Sequence, residues 1–197
     1  MIRESLGRFN TDYRKRFWQF LLIMVVIWIV VYAGIELTSS TEAAKHLLTS
    51  SLSGDSSGAS SHNFLPLFFH NFGSSLTIIV LGLIPIPLYY LFLLFNASSV
   101  GAVLTIGPQP ILLFLFGILP HGIFEIPGQI ISAAISARLA WYMIDRFIRH
   151  RQRSETFGEM VKTTAIDTLV YVLPLLFIAA IIEQNITPIL IHNFIIK

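Results

Sequence analysis

The sequence predicts an all-α fold: a polytopic transmembrane helical bundle with five spans plus a re-entrant or half-membrane helix in Pro/Gly-broken segments. Three observations predict it. Of the 197 residues, 54% are hydrophobic and only 12% charged, with a mean hydropathy of +0.73, whereas a soluble domain carries roughly 25% charged residues. Several apolar runs approach the ~20 residues needed to cross ~30 Å of hydrocarbon. No Asp, Glu, Lys or Arg occurs in the 69 residues from 56 to 124. Residues 1–197 read as a single integral membrane domain. With no cysteine in the chain, disulfides and thiolate metal sites are excluded.

The first span is read at 17–35, with Trp18, Trp28 and Tyr32 towards its ends, where amphipathic rings favour the interface. Its apolar core is longer than the ~7–15 residues of a cleaved signal peptide, so it reads as an uncleaved anchor. Residues 36–62 are polar and end in a Ser/Gly-rich tract, with three acids against one lysine. This composition suits a solvated extracytoplasmic loop, available to partners. The second and third spans, 64–84 and 88–106, flank the tight Pro85-Ile86-Pro87 turn. Residues 110–144 are too long for one simple span at ~1.5 Å per residue. Pro120 and Pro127 interrupt them. They divide into a re-entrant element, 111–119, and a fourth span, 121–143. The fifth span is read at 164–182. Asp167 falls in its first turns, where a helix amino end would stabilise negative charge. The tail from 183 is placed outside.

Charge placement orients the chain. The amino arm and the 145–162 connection hold ten of the thirteen Lys and Arg residues. Five spans put both on one side, which the positive-inside rule makes cytoplasmic. A sixth full span would separate them. The expected localisation is therefore a bacterial plasma membrane, with the amino terminus cytoplasmic and the carboxyl terminus extracytoplasmic. The basic connection is expected to touch anionic lipid, and no nucleic-acid role follows from it. Arg138, near the inner end of the fourth span, is expected to snorkel to the headgroups.

The candidate functional cluster lies in the fourth span. His121 and Glu125 are one helical turn apart and share a face, which Gln129 extends by another turn. His70 and Asn71 in the second span and Asn96 in the third are the other polar points at membrane depth. Amides there are expected to hydrogen-bond between helices. Three roles fit the cluster: a structural lock, a proton or ion pathway, or a divalent metal site built from His121, Glu125 and His70. The H-E-x-x-H signature is absent, no catalytic residue is assigned, and no cofactor beyond that metal is expected. The patches Gly73-Ser74-Ser75, Ala97-Ser98-Ser99 and Gly101-Ala102 let helices approach closely, and such faces make a homodimer plausible.

The run Gly117-Ile118-Leu119-Pro120-His121-Gly122-Ile123-Phe124-Glu125-Ile126-Pro127 resembles the hallmark of the stage II sporulation protein M family. Phe69-His70-Asn71-Phe72, followed by Phe95-Asn96-Ala97-Ser98-Ser99-Val100-Gly101, is similar to that family's second pattern. Ala97 stands where the family commonly has Gly. The resemblance covers roughly 64–143. It implies a non-enzymatic membrane scaffold or anchor that recruits peptidoglycan-remodelling envelope partners. Related membrane proteins accompany bacteriocin export and immunity, so a small transporter or exporter component is the alternative. A metal-dependent intramembrane enzyme is the third reading.

The layout is open to labelling. Single cysteines placed at Arg8 and Arg151 should both react with an impermeant maleimide from the same face of the membrane. One at Glu125 should be protected from any surface reaction.

Overall fold

A computed structural model of the chain describes residues 2–38, 63–105, 109–151 and 154–195. Most of the polar loop expected at 36–62 lies outside them, as does the Gly107-Pro108 break. Every regular element among the described residues is helical. The chain opens with α1 (Ile2–Arg8), a π-helical turn (Phe9–Tyr13) and α2 (Arg14–Leu37). Next come α3 (Leu65–Leu81) and α4 (Tyr89–Val103), joined by the proline turn. A helical turn at Pro110–Leu112 and a π-helical segment at Leu113–Ile118 lead into α5 (Leu119–Met143). The last elements are α6 (Phe157–Asp167), a π segment (Thr168–Val172), α7 (Leu173–Asn185) and α8 (Thr187–Phe194).

Three helical runs are long and apolar enough to cross a membrane: Glu4–Leu37, Pro110–Ile148 and Phe157–Asn185. The helices α3 and α4, with 17 and 15 residues, are apolar but shorter. One expectation changes. Residues 111–119 do not form a half-helix separate from the fourth span. They continue into it, so that Pro110–Ile148 is one helical run of 39 residues. The reason lies in the prolines. Pro120 would leave one carbonyl without its amide and press its ring on the preceding turn. The π segment at Leu113–Ile118 widens the turn just before it and lets the helix pass. The same device precedes Pro174, where Thr168–Val172 is π-helical and Phe157–Asn185 runs on unbroken. Pro127 is carried inside α5. His150, in the left-handed region at φ 51, closes the helical run that follows α5, and the Arg151 amide donates to Asp145 O at 2.8 Å.

The helix α5 is the axis of the bundle. Every residue from Ile130 to Ala140 is buried. Helices α2, α3, α4 and α7 all pack on it. Its sequence explains why it can be surrounded: Ser132, Ala133, Ala134, Ser136 and Ala137 offer almost no side-chain bulk, so neighbouring backbones come close. At Gly82, the end of α3, a Cβ atom would lie 2.6 Å from Ser136 O. A second close crossing joins α2 to α4, where a Cβ on Gly101 would lie 2.9 Å from Trp28 O. The small patch at 97–102 is thus a packing face, with Ala97 fully buried. The patch at 73–75 is one only at Ser75, because Ser74 is exposed and Gly73 has nothing within 4 Å.

This contrast sets a test. Gly101→Leu should wedge α2 from α4 and cost about 1–3 kcal/mol, as overpacking does. Gly73→Ala should be silent. Thermal unfolding in detergent, followed by tryptophan fluorescence, reads both.

Candidate functional site

Two polar layers interrupt the apolar bundle. The inner layer is built on Asp167, which is 0% exposed. It accepts hydrogen bonds from Ser5 Oγ at 2.6 Å and Tyr13 OH at 2.7 Å. Arg8 forks onto it, with Nη2 at 2.6 Å and Nε at 3.0 Å. Arg138 Nη1 stands 3.8 Å away. The Arg138 guanidinium also meets Glu155 at 2.8 Å, Asp12 at 3.5 Å and Tyr13 OH at 3.3 Å. Arg138 therefore does not snorkel: at 9% exposure it is enclosed by carboxylates from three segments. Nor does Asp167 sit at a helix amino end. It closes α6, whose start is set by a capping box of Thr156 and Glu159 ten residues earlier, and charged side chains from α1 and α5 satisfy it. The layer also fixes a topological fact. The amino arm and α6 lie at the same end of the bundle.

The outer layer contains the sequence-predicted cluster. Glu125 stands thirteen residues before Arg138 on α5, about 20 Å along the axis. Gln129 Nε2 donates to Glu125 Oε1 at 2.7 Å, so the expected stripe exists and continues past Pro127. His121 Nε2 is 3.8 Å from Glu125 Oε2, too far for a hydrogen bond. His121 Nδ1 lies 3.3 Å from Thr187 Oγ1, which in turn donates to Ile182 O at 3.4 Å. A third group completes the site. Glu183, on α7, places a carboxylate oxygen beside these two, and the donor atoms of His121, Glu125 and Glu183 all lie within 4.8 Å of one another. Glu183 Oε2 is buried and receives no hydrogen bond from the described residues.

These side chains face a cavity of about 380 Å³ between α2, α4, α5, α7 and α8. Asn96 and Ser99 line its α4 wall, and among the described residues no Lys or Arg does so. Helix α8 supplies Thr187 and Ile191 to its wall and packs on the π segment before α5; Phe194 stacks on Phe116 at 4.2 Å.

The structure thus brings together His121, Glu125, Gln129 and Asn96. The Asn96 amide donates to Phe92 O of its own helix at 2.8 Å, not across to a neighbour. His70 is not part of the site, and the metal set drawn through it is corrected. It is exposed on α3, two residues (about 200° of helix) from Phe68 on the buried face. Asn71 is half-buried and does not line the cavity. Glu183 and Thr187 are the residues that sequence reasoning missed. Their signal was periodicity: Leu176, Ala179, Ala180, Glu183 and Thr187 recur at helical spacing, and all but Glu183 are fully buried.

Long apolar helices, a buried axis and polar layers confined to its two ends define a helical integral membrane protein. Residues 17–188 match the model of the family described as Stage II sporulation protein M. The chain belongs to that family. It is also 31% identical, over 137 residues, to an uncharacterized protein of Methanocaldococcus jannaschii. That match covers 64% of this chain and 76% of the relative. No solved structure matches.

The inner layer carries its own test. Asp167→Ala leaves Arg8 without its carboxylate and the buried Ser5 and Tyr13 hydroxyls without their acceptor, and should destabilise by about 3–5 kcal/mol. Arg149→Ala, where the arginine itself is 45% exposed, should cost less. Both are read as shifts in the unfolding midpoint.

Proposed function

We propose that this chain is a plasma-membrane protein of five crossings, amino terminus inside, that binds a small cation in the outer cavity as a transporter-type component. One observation carries the reading. Three electron-rich groups, His121, Glu125 and Glu183, converge in a cavity of about 380 Å³ that no Lys or Arg among the described residues lines. Buried charge without a counter-charge is costly, and in membranes it marks ion and proton paths. The π segment Leu113–Ile118 contributes to the wall of the same cavity, and π-helical bulges occur frequently at functional sites. The five crossings draw support from the shared end of the amino arm and α6, and from the clustering of cations there.

A second reading is favoured by family membership over residues 17–188. In it the protein is a non-enzymatic scaffold for peptidoglycan-remodelling envelope proteins. The interlocked inner layer holds the bundle rigid, and the 36–62 segment faces partners outside.

Flux in proteoliposomes separates the two. The cation-handling reading expects proton or metal-ion uptake that falls at least tenfold in Glu125→Gln and Glu183→Gln. Flux that survives both substitutions unchanged overturns it. Absence of flux, together with equal recovery of envelope proteins by wild type and Glu125→Gln, supports the scaffold.

A further inference from the structure

We infer that His121, Glu125 and Glu183 together hold a divalent transition-metal ion of the zinc class, with a fourth position open to the cavity. The inference rests on the cation-binding reading above and names its ligand. Its first support is the hydrogen-bond inventory. In the tautomer that has Thr187 Oγ1 donating to Ile182 O and accepting from His121 Nδ1–H, His121 Nε2 is a bare lone pair 3.8 Å from Glu125 Oε2. A lone pair facing a carboxylate needs something positive between them. Among the described residues the Gln129 amide donates to Glu125 Oε1. Glu183 Oε2 accepts nothing from the described residues. Two carboxylates and an imidazole call for about two units of positive charge in one place.

The second support is geometric. Ligand atoms on a tetrahedral ion with bonds of ~2.1 Å lie ~3.4 Å apart. The His121–Glu125 pair is at 3.8 Å, and all three donors fall within 4.8 Å of one another. Small side-chain rotations close the set. The third is ligand type and its backing. One imidazole with two carboxylates suits zinc and its first-row neighbours better than magnesium or calcium, which prefer oxygen alone. The surrounding bonds have the form of a metal's outer shell: Thr187 orients the imidazole, and Gln129 holds the free oxygen of Glu125. Three protein ligands with an open side is the arrangement of a site that exchanges a bound group, not of a sealed structural zinc.

The test uses the full-length chain in nanodiscs, purified on a histidine-free tag, with the exposed His70, His150 and His192 changed to Ala. After chelator treatment the protein is titrated with Zn²⁺ alone. About one ion per chain is expected, and X-ray absorption should report an N/O shell with one imidazole. His121→Ala and Glu183→Gln should each weaken binding at least about tenfold. Glu183→Asp should recover part of it, and all variants should remain monodisperse with wild-type helicity. No stoichiometric zinc, or equal binding by wild type, His121→Ala and Glu183→Gln, overturns the inference. The two readings fail separately. Zinc bound without flux upholds the site and removes the transport reading. Flux without zinc binding removes the metal and leaves a proton pathway.

Discussion

The burial of α5 from Ile130 to Ala140 is the constraint on which the rest of the bundle depends. A helix enclosed on every side must present a thin cylinder, or its neighbours cannot all reach it. Alanine and serine supply that cylinder. Where they end, the helix changes character in both directions. Arg138 at one limit must carry its charge into the enclosed region, and so it collects carboxylates from the amino arm, the 155 loop and α6. Gln129 and Glu125 at the other limit open onto the cavity. The two polar layers are thus placed by one property, the length of the small-residue stretch between them.

The layers differ in how completely their charges are met. Asp167 accepts hydrogen bonds from a hydroxyl, a phenol and a guanidinium, with a second guanidinium beside it. Such a buried network has large consequences when one member is removed, because the others are left charged in a poor solvent. Its role is to fasten the amino arm to α6. Among the described residues of the outer layer, the Gln129 amide serves Glu125 and Glu183 Oε2 has no donor. The two layers thus differ in saturation more than in the kinds of residue they hold.

Much of this was legible in the sequence. The apolar runs placed the cores of α2, α3, α4 and α5 to within a few residues, and the run 164–182 falls inside the longer helix Phe157–Asn185, because hydrocarbon length and charge exclusion act on composition directly. The helical spacing of His121, Glu125 and Gln129 was likewise readable. Two features were not. Pro120 reads as a break, and only the backbone reveals that a π-helical turn absorbs it. Glu183 was assigned to a tail because an acid after an apolar run usually marks the membrane boundary. Its membership in the α7 face became evident from Ala179, Ala180 and Thr187. Long-range partnerships such as Ser5 with Asp167, 162 positions apart, leave no periodic trace at all.

The dry stretch that lets α5 stand at the centre has one more consequence. Met24 on the cavity wall, and Leu93, Ala97 and Ile130, are sealed from solvent. Under the cation-binding reading an ion at Glu125 would stand in a cul-de-sac, and onward passage would require α4 to part from α5. Helix α8, through Thr187 and Ile191, would then frame the way in and out.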